Sequence, residues 1–162
     1  MQRCLEFRTQ LLKSGECTFQ MEVTADYETE LFSFSGSCSC TEDGTRLVLS
    51  APEMLSGIRA SLKNDDLQLV FDDVMVALEP LAEDRIAPLA AGGVFYESWK
   101  AGELLLAENA EGLLRMTAEY RVKGLPLRVD TWLQTDTLLP VRGQIAAEDT
   151  VILTADFTDF RF

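Results

Sequence analysis

From Cys17 to Tyr27 the chain alternates apolar and polar side chains without a slip. Cys17, Phe19, Met21, Val23, Ala25 and Tyr27 fall on one side, and Thr18, Gln20, Glu22, Thr24 and Asp26 on the other. A period of two marks a strand with one buried and one wetted face. The same pattern returns in Phe32–Cys40, in Leu47 and Leu49, and in Ile58, Ala60 and Leu62, then again in Leu67, Leu69 and Phe71 and in Val74, Val76 and Leu78. It resumes at Leu104–Ala107, at Leu114–Val122, at Leu125–Leu133, through Val141, Gly143 and Ile145, and from Val151 to Phe157. Short polar or glycine turns separate these runs, among them Thr41-Glu42-Asp43-Gly44, Asn64-Asp65-Asp66 and Lys123-Gly124. About ten or eleven strands at such spacing describe one antiparallel meander.

Two segments break the rhythm. Residues 2–13 place Cys4, Phe7 and Leu11 on one helical stripe, with Lys13 near the negative end and Gly15 as the stop. Residues 79–102 hold Pro80 and Pro88, then Leu89, Gly92, Phe95, Tyr96 and Trp99 at helical spacing. The Gly92-Gly93 pair costs a lone helix about 1–2 kcal/mol against alanine, so this helix needs a surface to pack on. A sheet of this many strands with one oily face must curl, close or split into two layers. The arrangement that houses Trp99 is a strongly curved antiparallel sheet, an open or half barrel, wrapped around a helix of residues 87–101. A two-layer sandwich is the other solution, and it leaves the Phe95/Trp99 stripe unhoused. No linker divides the chain, so residues 1–162 read as a single mainly β (α+β) domain.

Charge and composition remove whole classes of chemistry. Against 27 Asp+Glu stand 14 Lys+Arg, a net charge of −13, which opposes a nucleic-acid partner. The chain holds no histidine, which removes Ser-His-Asp and Cys-His catalysis and histidine metal sites. No G-x-x-x-x-G-K-[ST] loop cradles a phosphate, and the serines at 33, 35, 37 and 39 lie on a solvated strand face with no base beside them. The acid pairs Asp65-Asp66, Asp72-Asp73, Glu83-Asp84 and Asp156/Asp159 read as solvated turn formers. No catalytic residue, metal site or cofactor is expected.

A two-residue turn at Glu28-Thr29 pairs residues whose numbers sum to 57. That register sets Cys17 opposite Cys40, and Phe19 opposite Cys38, on the inward face. Directly opposed residues lie within disulfide reach, so a Cys17–Cys40 bridge is one reading. Cys4 reaching Cys38 is a second, and four small buried hydrophobes a third. The inward side chains Phe19, Met21, Phe34, Phe95, Tyr96, Trp99, Met116 and Leu127 also carry two readings. They are plain core, or they line an apolar pocket between sheet and helix. Trp132 shares its face with Arg128 and Asp130, away from the oily side. It marks a partner surface, or it packs beside Arg128.

Several stretches resemble the LolA/LppX-like superfamily of lipoprotein carriers and lipid-binding proteins. They are Cys17-Thr-Phe-Gln-Met-Glu-Val, Asp43-Gly44 leading into Leu47-Val-Leu-Ser-Ala-Pro-Glu-Met-Leu-Ser-Gly57, and Leu67-Gln-Leu-Val-Phe-Asp-Asp. The Ala87–Trp99 helix and the closing Thr154-Ala-Asp-Phe-Thr-Asp-Phe160 complete the set. Within it the chain looks most like anchored lipoproteins of Gram-positive, clostridia-type bacteria, including the spore-germination lipoproteins. The resemblance implies a non-enzymatic exported lipoprotein domain that binds a lipid, acyl chain or other apolar ligand, with the 79–102 segment as a lid. Its alternative is a filled-core structural module of the cell envelope, a homodimer or the partner of an envelope enzyme. It also implies an envelope location through a lipid anchor. The expected export pattern, a signal and lipobox, is not seen ahead of Cys4, and Arg3 before Cys4 does not suit lipid attachment, so anchorage is implied by the resemblance alone.

Overall fold

The computed structural model describes residues 1–27, 31–71, 73–78, 81–82 and 85–162; the side chains of Leu78 and of residues 81–86 lie outside that description. The Glu28-Thr29 turn, Asp72, Pro80 and the Glu83-Asp84 pair therefore fall outside it as well. The chain opens with helix α1 (Gln2–Ser14), whose Cys4, Phe7 and Leu11 are buried as the stripe requires. Gly15 ends it at φ 72°. A side chain there pays a left-handed backbone penalty that glycine escapes.

Six strands follow: β1 (Cys17–Asp26), β2 (Leu31–Thr41), β3 (Gly44–Ala51), β4 (Arg59–Lys63), β5 (Asp66–Phe71) and β6 (Val74–Leu78). After the short β7 (Leu81–Ala82) and β8 (Arg85–Ile86) comes helix α2 (Ala91–Ala101), entered through one 3-10 turn at Pro88–Ala90. Five strands finish the chain: β9 (Glu103–Ala110), β10 (Leu113–Val122), β11 (Leu125–Gln134), β12 (Pro140–Ala147) and β13 (Thr150–Arg161). The order across the main sheet is β6-β5-β4-β3-β2-β1-β13-β12-β11-β10-β9, with eleven strands and no closure into a barrel.

That order explains where α2 must lie. The first half of the chain fans out from β1 to one edge, the second half starts at the other edge and returns to pair β13 with β1. The connection between edges has to cross the sheet, and it does so across the oily face as α2. Its neighbours there are β2, β3 and β10, with α1 beside it. The curved sheet around a central helix is therefore the observed architecture, and Trp99 lies at its centre, fully buried.

The β1–β2 hairpin keeps the expected register over its whole length. Cys17 pairs with Cys40, Phe19 with Cys38, Val23 with Phe34 and Asp26 with Leu31. A one-residue slip would have turned every one of these side chains to the other face.

Two expectations about the faces need correction. Phe71, Val74 and Val76 share the oily face with buried Leu67, yet all three are exposed. Alternation assigns them a side without a cover: on this half of the sheet the main contacts of α2 are with β2 and β3. On the opposite face of β10 and β11, Thr117, Asp130 and Trp132 read as solvated but are buried. Long arginine side chains lie down over them and keep their charged ends wet.

Candidate functional site: the interior beneath helix α2

Five aromatic rings surround the indole of Trp99. Its centroid lies 5.8 Å from Phe7, 5.7 Å from Phe19, 6.0 Å from Phe95, 5.5 Å from Phe157 and 5.8 Å from Phe160, mostly edge to face. These are the separations at which aromatic pairs attract beyond mere burial. The indole N–H donates to Thr131 Oγ1 at 2.9 Å, which satisfies the one polar atom in the cluster.

The eight residues expected to line a pocket do come together in one buried cluster. Phe19, Met21, Phe34, Phe95, Tyr96, Trp99, Met116 and Leu127 belong to it with the side chains of both helices. They pack on each other. A partly enclosed cavity of about 70 Å³ beside α2 is lined by Thr45, Asn64, Asp65, Glu97 and Tyr120 among others, and by none of the eight; Phe19 borders an open surface groove of about 430 Å³ between Gln20, Ser37 and Asp159. A ligand site ordinarily needs ~300–1,000 Å³ with apolar walls.

The glycines of α2 serve this packing. A Cβ on Gly92 would stand 2.6 Å from Cys38 Sγ, and one on Gly93 would stand 2.3 Å from Leu62 Cδ2. Their absence of side chain brings the helix backbone down onto β2 and β4. Gly143 likewise leaves room for the ring of Phe95, 2.4 Å from where its Cβ would be. Lifting α2 would rehydrate Val94, Phe95, Tyr96 and Trp99, at about 1.5–3 kcal/mol each.

The far end of α2 is held from α1. Arg8 Nε donates to the carbonyl of Trp99 at 2.7 Å, and its Nη2 donates to the carbonyls of Gly102 at 2.7 Å and Ser98 at 3.3 Å. A cation here meets the negative end of the helix and satisfies carbonyls that the helix itself leaves open. Sequence reasoning missed this contact, because Arg8 lies 91 residues from Trp99 and only the packing of α1 joins them.

All four cysteines are buried free thiols. Cys17 and Cys40 face one another across the hairpin, and Thr45 Oγ1 donates to Cys40 Sγ at 3.6 Å. The hydrogen bond that the Cys17 thiol makes to Cys40, together with burial, pushes the Cys17 thiol far up, and burial does the same for Cys38. Neither is a nucleophile near neutral pH. Among the described residues no group of three or more Cys, Asp or Glu is arranged to hold a metal ion.

On the outer face, Trp132 is stacked between Arg142 at 4.7 Å and Arg115 at 5.4 Å. These are its cross-strand neighbours, so the partner is not Arg128. Asp130 is sealed beneath them, accepting from Thr117 Oγ1, from Arg115 Nε at 3.2 Å and from Arg128 Nε at 3.3 Å. Every oxygen of this carboxylate is thereby engaged. Asp156 and Asp159 are exposed, and Asp65 accepts from the Lys123 backbone N–H at 3.3 Å, so neither pair holds an acid in an apolar pocket.

The sequence matches no family model and no curated protein. Solved structures do share its architecture. A DUF1329 family protein from Desulfovibrio piger superposes with a TM-score of 0.56 at 13% identity, over 99% of this chain and 90% of that one. A LolA superfamily protein from Nitrosomonas europaea gives 0.51 at 12%, over 99% and 92%. The chain has a LolA-like fold. A third neighbour comes from the complex of the CwlD amidase with the GerS lipoprotein of Clostridioides difficile, with a TM-score of 0.53 at 15% identity, over 98% of this chain and 92% of that chain. At these identities the likeness is one of LolA-like architecture, and the interior just described is this chain's own.

Proposed function

We propose that the protein is a non-enzymatic interaction module of the bacterial cell envelope, a LolA-like scaffold whose interior is a solid core. The observation that carries this reading is the Trp99 cluster. Five rings and the side chains of α1 occupy the space in which an apolar ligand would sit. Opening that space means separating α2 from β2, β4 and β12 and breaking the Arg8 clamp. The eight interior residues act as the keystone of the fold, and α2 is the centre of the core.

The non-enzymatic part is supported by the absence of histidine and by thiols held protonated. The envelope setting is supported by what the neighbours are: a LolA superfamily protein, and a complex that includes a lipoprotein. That same complex supports a protein partner, since it joins an amidase to a lipoprotein.

Displacement of a fluorescent fatty acid, paired with native mass spectrometry of gently purified protein, tests the reading. No saturable uptake and no bound lipid mass are expected. Stoichiometric uptake of an acyl chain would overturn it in favour of a carrier.

A further inference from the structure

The two edges of the main sheet are treated differently. At β9 the run Leu104-Leu105-Leu106 is flanked by Glu103 and Glu108, and a bulge at Leu105 interrupts its register with β10. Charges and bulges of this kind keep an edge from pairing with other chains. Glu103 and Glu108 lie within β9, whereas at β6 the carboxylates stand outside the strand and no bulge interrupts it. Val74-Met75-Val76-Ala77-Leu78 contains no charge and no proline, and its register with β5 runs unbroken from Val74 to Leu78. Among the described residues no strand pairs with its outer edge.

The side chains of this edge are wet on both faces. Val74 is 61% exposed and Val76 45% on the side that continues the oily concavity, and Met75 is 65% exposed on the other. Phe71, which ends β5 on the concave side, is 51% exposed. An unbulged edge strand with apolar side chains, to which no further strand is paired among the described residues, is the arrangement that accepts an added strand.

Charge says which strand. Between Asn64 and Asp84 the sequence has seven carboxylates and no lysine or arginine, and Asp72-Asp73 and Glu79 bracket β6 itself. A second copy aligned on this edge would bring the same carboxylates against them, a like-charge juxtaposition that opposes pairing. The acids thus reject self-pairing and favour cations at the ends of an incoming strand. We infer that the β6 edge is a docking site for an extended segment of another protein, rich in β-branched residues and flanked by lysine or arginine. This deepens the interaction-module reading and rests on it.

The test uses a labelled peptide, Lys-Lys-Val-Thr-Val-Thr-Val-Lys-Lys, followed by fluorescence anisotropy and by hydrogen exchange of the intact protein. Saturable binding is expected, with slowed exchange at β6 amides and none at β9. Replacing the flanking lysines by glutamate should weaken binding about tenfold or more, and raised salt should weaken the lysine form. Met75→Lys, at a site 65% exposed, should weaken it similarly while leaving the melting temperature unchanged. Absence of binding, equal binding of the glutamate peptide, or protection at β9 would each overturn the inference. So would light scattering that finds a dimer with β6 amides already protected, which assigns the edge to a second copy. A protein that binds the peptide at β6 and also takes up a fatty acid would overturn the filled-core reading alone.

Discussion

Arg8 donates to the main-chain carbonyl of Trp99 at 2.7 Å, tying the first helix of the chain to the end of the second. Three carbonyls at the end of α2 accept from this one guanidinium. Arg8→Met keeps the apolar stem and removes the donors. It should lower unfolding free energy by about 2 kcal/mol, since bonds to a charged group contribute ~1.5–3. In a chain of this size that is a fall of roughly 4–8 °C in thermal midpoint. Arg8→Lys should recover only part of the loss, because an ammonium cannot span several carbonyls as a planar fork does. An unchanged midpoint in Arg8→Met would show that the clamp contributes nothing.

Gly92→Ala sets two effects against each other. Alanine favours an isolated helix over glycine by about 1 kcal/mol. Here its Cβ would stand 2.6 Å from Cys38 Sγ and 3.3 Å from Met21 Cε, both in the core. Overpacking costs about 1–3 kcal/mol, so the protein should lose stability although the helix alone gains it. Urea titration of the variant checks the sign. A raised midpoint would mean that α2 sits more loosely on β2 than described.

Much of this was legible from residue order, and the limits have physical causes. The sum-of-57 register followed from one short turn and a strict period, and all ten pairs from Cys17/Cys40 to Asp26/Leu31 obey it. The central helix was legible because Phe95 and Trp99 had no other home. Alternation, however, gives each strand a face without saying what covers it. Phe71, Val74 and Val76 share the oily side and are exposed, and Thr117 and Asp130 are roofed by arginines. Nor could pattern alone distinguish a lined cavity from a filled core, since both need the same apolar side chains. Ring-to-ring distances around Trp99 are what supports the filled core proposed here.

Alkaline pH should unfold the protein early. Burial is the main cause that pushes the phenols of Tyr96 and Tyr120 up to about 12, from an ordinary value near 10. The folded state thus holds these protons more tightly than the unfolded one. Their contribution is complete below about pH 10 and is lost as pH climbs toward about 12. The thiols of Cys4, Cys17 and Cys38 are raised too and act in the same direction. Midpoints in urea should fall through this window, and Tyr96→Phe should flatten the fall. A midpoint independent of pH there would contradict the assignment.

The facing thiols define which disulfide forms first. Direct cross-strand partners have Cα atoms about 4.5–5.5 Å apart, within the span a disulfide bridges. Diamide treatment and digestion without reductant should give a Cys17–Cys40 crosslink before any link to Cys4 or Cys38. Because the thiols are buried and protonated, the reaction should be slow in native protein and accelerate in mild denaturant. A first crosslink through Cys4 would show that α1 leaves its place more readily than the hairpin opens.

The most direct test of the solid interior uses its own indole. The chain has two tryptophans, so Trp132→Phe leaves Trp99 as the sole emitter. A fatty acid brominated along its chain quenches an indole it touches. Titration should leave Trp99 emission unchanged up to the solubility limit of the lipid. Saturable quenching would show an acyl chain among Phe19, Phe95 and Phe157, and the account of a filled core would be wrong.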